Sequence, residues 1–262
     1  MTLTREISYV LMDPSGNRTI LVETPVDAAD QPRIAEVLMK EEPSAEQTGF
    51  LRIPADDTIT LRMAGGEFCG NAAMSAAVYR AEQSGITSAD IQVLFDGMTQ
   101  SVKVSVKRNA DGSWNGEVEM PAPRSIETAV MPDGKRFPVV HFDGISHVII
   151  GQGMEEHAEQ LAKERCAALK ADAVGLLYLD LEHSVLTPLV YVPGAGTMCW
   201  ESACGSGTTA VGCWLARERN EEVQLSLQQP GGTLSIRADA SGHAVLGGSV
   251  INLHRKTAAV TL

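Results

Sequence analysis

The chain has 262 residues, 44% hydrophobic and 21% charged, which suffices for a sizeable buried core in one large domain or two small ones. Its 33 acidic residues against 21 basic ones give a formal charge of −12. That charge repels phosphate backbones and anionic lipid, excludes nucleic-acid and polybasic membrane partners, and leaves a small molecule as the default ligand. Five cysteines, Cys69, Cys166, Cys199, Cys204 and Cys213, are an odd number without zinc-site spacing, so a disulfide framework is excluded and at least one thiol is free.

Met1 to Tyr9 carries Arg5 and Glu6 and lacks the apolar core of a signal peptide, so a reducing, cytoplasmic location is expected. Ile7 to Met12 and Thr19 to Glu23 alternate around the turn-rich Asp13 to Asn17 and predict an antiparallel hairpin. Ile34, Val37 and Leu38 predict an amphipathic helix over Gln31 to Glu42. Strands follow at Gly49 to Ile53 and Thr58 to Met63. After Cys69, Ala72 to Gln83 is small or apolar until Arg80, the pattern of a helix buried on nearly every side, which something must enclose. Strands at Ile91 to Phe95, Ser101 to Lys107 and Gly116 to Met120 lead to Pro121-Ala-Pro, the expected domain boundary.

A second series repeats the plan, with strands at Phe137 to His141 and His147 to Ile150, then a charged helix from Glu155 to Leu169. Strands at Val174 to Leu181 and Leu189 to Val192 precede an uncharged helix after Cys204, over Thr208 to Ala216. Val223 to Leu227, Thr233 to Arg237 and Ala244 to Leu246 are the last strands of the series. The longest uncharged stretch, Ser184 to Trp200, is broken by Pro188, Pro193, Gly194 and Gly196 and falls short of the roughly 18 to 20 apolar residues that span a bilayer. Both buried helices open on Cys-Gly, carry an apolar body and place an aromatic residue ten positions after the cysteine, Tyr79 and Trp214. An internal repeat of about half the chain, with one such cysteine per copy, is the expectation.

A cysteine in the first turn of a helix meets unpaired N–H groups and the positive end of the dipole, which lowers a thiol pKa from its reference of about 8.5. The same N–H groups bind carboxylates, and Gly70 and Gly205 let an anion approach the backbone. Two such helix starts facing each other would clamp a carboxylate and set one sulfur on each face of its α-carbon. That arrangement inverts Cα: one thiolate removes the proton and the opposite thiol returns one, while the helix ends stabilise charge that grows in the transition state. The chemistry requires no cofactor and no metal. The plain alternative is that a Cys beside Gly is a small buried residue; the equivalent placement of both cysteines argues for function. Cys166 and Cys213 read as packing residues, and Cys199 lies near Cys204. The Gly-rich segments lack a P-loop lysine and a dinucleotide-fold context, and the six histidines lack ligand spacing, so nucleotide and metal sites are not expected.

At these residues the chain resembles the diaminopimelate epimerase-like family of cofactor-independent amino-acid racemases and epimerases. Cys69-Gly70-Asn71 and Ala203-Cys204-Gly205-Ser206-Gly207 match its paired motifs. The resemblance implies an α+β fold of two pseudo-symmetric domains, each a mostly antiparallel curled sheet around a central buried helix, with the active site in the interdomain cleft. The domains would be residues 1–121 with 253–262, and 122–252, the last strand, from His254, returning to the first. Cys69 and Cys204 are then the catalytic pair, and Gly70, Asn71, Gly205 and Ser206 hold the substrate carboxylate. Asn17 and Gln47 match the family's substrate contacts, and His147 matches a histidine that assists one cysteine.

Departures narrow the substrate. Ile145 stands where the diaminopimelate enzymes carry Asn, and Val192 to Gly196 replaces their Glu-Arg pair. Without those donors the distal charged end of diaminopimelate would be desolvated and unpaired. Asp13 to Val22, Ala45 to Phe50 and Met63 to Asn71 look instead like the histidine racemases that supply opine-type metallophore synthesis. Glu46, Glu67 and Glu201 are candidates to meet a polar side chain or to assist a cysteine. The expected partner is a small amino acid, with a homodimer left open. The rival readings are an epimerase of another amino or imino acid of the diaminopimelate or proline type, a phenazine-type isomerase relative working through a carboxylate, and a silent binding module of the same fold.

Overall fold

A computed structural model describes residues 4–53, 58–151 and 153–262; Met1 to Leu3, part of the segment read above for a signal peptide, lie outside them. The chain divides into two compact units, Met1–Glu119 with Gly247–Leu262, and Met120–Leu246. The mixed α+β composition is as expected, and so is the central buried helix of each unit.

In the first unit, β1 (Thr4–Pro14) and β2 (Thr19–Val22) form the predicted antiparallel hairpin, Tyr9 opposite Val22. Helix α1 (Gln31–Glu41) crosses to β3 (Gln47–Arg52), which runs parallel to β2 and antiparallel to β4 (Ile59–Met63). Helix α2 (Gly70–Gln83) crosses to β5 (Ser88–Phe95), parallel to β4, and β6 (Val102–Arg108) and β7 (Trp114–Met120) follow antiparallel. The far part of β16 (Ala244–Thr261) pairs with β1, Pro14 opposite Val250 and Thr4 opposite Thr261.

The second unit has the same order. An antiparallel pair, β8 (Ser125–Val130) and β9 (Arg136–His141), leads to β10 (Ser146–Ile150). Helix α3 (Ala158–Leu169) crosses to the parallel β11 (Val174–Asp180), and β12 (Val185–Val192) returns antiparallel. The short β13 (Thr197–Trp200) pairs with β12, and α4 (Gly205–Arg219) crosses to β14 (Val223–Gln229), parallel to β12 and antiparallel to β15 (Gly232–Ala238). Antiparallel and parallel steps thus recur in one sequence, with a helix at each parallel crossover.

Alternation along β1 divides its side chains between two faces. Ile7, Tyr9 and Leu11 pack with Ile34 and Leu38 of α1, while Val10 and Met12 are buried on the opposite face. Helix α2 touches β1, β2, β4, β5 and β6, and every residue from Gly70 to Tyr79 is buried. Its alanines favour the helix and leave room for strands to approach closely. Helix α4 likewise touches β9, β10, β14 and β15.

Five elements differ from the sequence reading. Strands β8 and β13 are additional, and both are largely exposed, so neither carries an alternating apolar signal. Strand β12 begins four residues earlier and runs through Pro188, whose carbonyl still accepts from the Glu201 N–H at 3.0 Å. Helix α3 starts at Ala158, behind His157 with φ +59°. Ala244 to Leu246 and the segment from His254 are one 18-residue strand, whose far part is held by its pairing with β1.

Candidate functional site

The two Cys-Gly motifs occupy equivalent places. Cys69 is the N-cap of α2, in extended conformation at φ −138°, and its sulfur accepts from the Ala72 N–H at 3.5 Å. Cys204 is the N-cap of α4 at φ −96°, and its sulfur accepts from the Gly207 N–H at 3.3 Å. In each case the thiol takes the role usually filled by a Ser or Asp oxygen, satisfying the third amide of the helix. None of the five cysteines is in a disulfide.

Around Cys69 the hydrogen bonds form a chain. The thiol donates to Gln47 Oε1 at 3.2 Å, and Gln47 Nε2 donates to Asn17 Oδ1 at 2.6 Å and Thr19 Oγ1 at 2.8 Å. Asn17 Nδ2 donates to Glu46 Oε2. Thus Asn17, Glu46 and Gln47 gather at the starts of β2 and β3, beside the thiol. Thr19, which completes the chain, is a residue the sequence reading missed; its position two residues after Asn17, at the start of β2, was the available signal. Glu67 is exposed, and its carboxylate lies against Gly65, where an added Cβ would sit 2.3 Å from Oε2.

Around Cys204 the partners are of a different kind. Glu201 hydrogen-bonds the thiol, and burial, then this carboxylate, push the Cys204 thiol well above its ordinary value despite the opposing Ser206 hydroxyl and Gly207 N–H. Ser206 Oγ lies 3.6 Å from the sulfur and 2.9 Å from His147 Nε2. His147 is fully buried, and burial drives its imidazole down to about 3, so it is neutral. It stands opposite Gly175 across β10 and β11. A Cβ at Gly175 would come within 2.2 Å of His147 Nδ1, so the ring occupies space that only glycine leaves open. The N-cap itself is held by Gln229, also missed from the sequence: its Oε1 accepts the Cys204 N–H at 2.8 Å while Nε2 donates to Thr208 Oγ1, and Thr208 Oγ1 donates to the Cys204 carbonyl. Gly207 is needed for close approach, since a Cβ there would meet Leu177 Cδ2 at 2.7 Å.

The remaining cysteines sit elsewhere. Cys166, in α3, donates to the Ala171 carbonyl just past the helix end, and burial holds its thiol above the ordinary value. Burial pushes Cys213, within α4, up to about 12, and Cys199 is exposed on β13. Among the described residues no group of three or more His, Cys, Asp and Glu is placed to hold a metal, and no helix is long and apolar enough to cross a membrane. Two surface cavities, about 560 Å³ beside Arg52 and Tyr79 and about 430 Å³ beside Ser146 and Lys170, are not lined by either motif cysteine.

Known proteins match this chain over nearly its full length. A histidine racemase from Staphylococcus aureus is 29% identical over 243 residues, covering 88% of each chain. A histidine racemase from Fusobacterium nucleatum is 31% identical over 241 residues, covering 87% of this chain and 88% of its own. The structure of a hydroxyproline epimerase from Agrobacterium vitis superposes with a TM-score of 0.70 at 11% identity, covering 99% of this chain and 94% of that one, and shares the fold. The model of the histidine racemase CntK N-terminal domain matches residues 6–254, and the chain belongs to that family of isomerases.

Proposed function

We propose that the protein is a cofactor-independent amino-acid racemase that interconverts L- and D-histidine, with Cys69 and Cys204 as the two acid–base groups. The observation that carries this reading is the repeated placement of a thiol at the N-cap of each central helix, in units of the same strand order. Each unit is one racemase half and supplies one thiol. Histidine as substrate rests on the family and on the two relatives of that name.

Inversion needs one group on each face of Cα. Glu201 accepts the Cys204 proton, and the thiolate so formed takes the Cα hydrogen. The substrate carboxylate, held by the helix starts at Gly70-Asn71 and Gly205-Ser206, gains negative charge at that moment, where the N–H dipoles count most. Cys69 then delivers its thiol proton to the opposite face. Ser206, braced by neutral His147, orients toward Cys204, and Asn17 and Gln47 contact the substrate beside Cys69. The enzyme works in a reducing, cytoplasmic setting, which suits a pair of thiols that must stay reduced, and serves opine-type metallophore assembly, a reading that rests on the sequence resemblance; its net charge disfavours nucleic acid.

The test is incubation with L-histidine in deuterated water, followed by NMR. Loss of the Cα proton signal with accumulation of the D-enantiomer is expected, and Cys69→Ser and Cys204→Ser should each slow it by at least about a hundredfold. No exchange with histidine or any other amino acid rejects the racemase. Exchange at the wild-type rate in both single variants rejects the thiols.

A further inference from the structure

We infer that Glu46 is a positioning residue which, acting through Asn17 and Gln47, holds Cys69 as a thiol, the proton donor of the resting enzyme. The inference rests on the racemase reading for its functional meaning, and on a hydrogen-bond chain with only one consistent direction for its physics.

The direction begins at Glu46. An ionised carboxylate only accepts hydrogen bonds, so Asn17 must turn its NH2 toward Glu46, as it does. The Asn17 carbonyl then faces the other way and accepts from Gln47 Nε2. The Thr19 hydroxyl gives its proton to the Asn17 backbone carbonyl at 3.1 Å, which leaves only lone pairs for Gln47 Nε2. Both amide protons of Gln47 are thereby committed, and what it presents to Cys69 is its carbonyl, 3.2 Å from the sulfur. A carbonyl oxygen accepts from S–H and repels S⁻. Turning Gln47 over would set its carbonyl against the Asn17 carbonyl, and turning Asn17 as well would set an amide oxygen against the Glu46 carboxylate.

The contrast with the other unit gives the chain its function. Cys204 faces a carboxylate, Glu201, which can take a proton; Cys69 faces an amide oxygen, which cannot. The resting enzyme therefore carries its proton donor at Cys69, while Cys204, also a thiol at rest, has in Glu201 a group that can take its proton, and the enzyme is poised for one enantiomer. Charged groups among the described residues on the adjoining segments include Glu67, on the preceding loop, and the Asp13–Arg18 pair on the turn that carries Asn17. The Ala72 N–H and the start of α2 pull toward thiolate, against Gln47.

Site-resolved alkylation with iodoacetamide, followed by mass spectrometry across pH, tests this on the full chain without turnover, with exposed Cys199 as the internal reference. In Glu46→Gln the terminal group can donate as well as accept, so Asn17 and Gln47 can reverse and offer N–H to the sulfur. The Cys69 profile should move about one pH unit lower, roughly a tenfold rate gain on its acid side, while Cys199 stays put. Glu46→Asp and Asn17→Asp both preserve an acceptor that keeps the Gln47 carbonyl on Cys69, and neither should lower the profile. A Glu46→Gln profile superimposed on the wild type, or a lowered one in either aspartate variant, overturns the inference. Since alkylation needs no catalysis, failed deuterium exchange alongside the expected shift sinks the racemase reading alone; normal exchange with no shift sinks only the role of Glu46.

Discussion

Two thiols at equivalent helix starts have unlike surroundings, and the difference lies in one side chain each. At Cys204 the N–H of Gly207 and the hydroxyl of Ser206 favour thiolate, as the position at a helix start leads one to expect. Burial and Glu201 outweigh them, because a desolvated sulfur beside a carboxylate resists a second negative charge. Since the carboxylate raises this thiol, removing it lowers it. In Glu201→Gln, the ultraviolet thiolate signal lost on adding Cys204→Ser should appear at lower pH than in the parent chain. Racemisation should fall at least about tenfold, because a neutral amide accepts no proton. A slower reaction with an unmoved thiol titration would show that Glu201 acts on something other than Cys204.

At the scale of elements, each helix start is held by groups from other segments. The α4 cap depends on Gln229, at the end of β14, which closes a ring with Cys204 and Thr208. Gln229→Ala leaves the buried Cys204 N–H without its acceptor, an omission that costs about 1–3 kcal/mol. A lowered urea midpoint with an unchanged denaturant slope is the expected result. Strand β13 matters in the same way. Its pairing with β12, continued by the Glu201 N–H to the Pro188 carbonyl, is what brings Glu201 to the thiol. Four largely exposed residues after a glycine-rich turn give no periodic signal, so β13, and with it the link from Glu201 to Cys204, was not legible as geometry.

At the scale of the whole molecule, the chain ends are tied together. Glu42, at the end of α1, receives Tyr9 Oη from β1 at 3.0 Å, and His254 Nε2 and Lys256 Nζ from β16 at 2.9 and 2.8 Å, all at one carboxylate oxygen. Burial alone would raise this carboxyl, but the hydrogen bonds from Lys256, His254 and Tyr9 prevail and hold it near about 2, below its ordinary 4.5. A carboxyl depressed by folding stabilises fully above its ordinary value and loses that contribution as pH falls toward the folded one. Urea midpoints should therefore drop between about pH 4.5 and 2 more steeply in the wild type than in Glu42→Gln. The variant should also be the less stable of the two at neutral pH.

The helices after Cys69 and Cys204, the hairpin of β1 and β2, and the doubling of the plan were all readable from the chain, because burial pattern, turn chemistry and helix starts are local or periodic properties. Asn17, Gln47 and His147 were named only through a resemblance, and nothing local in their neighbourhoods sets them beside a thiol. Their partners, Thr19, Ser206 and Gly175, were decided by strand register and by the space a missing Cβ leaves. The sequence by itself determined which atoms could do chemistry, two thiols at two helix starts, since identity and periodicity are written residue by residue. Tertiary structure alone decided what faces each sulfur, an amide oxygen at Cys69 and a carboxylate at Cys204. Hydrogen-bond direction and desolvation depend on residues brought together from distant parts of the chain.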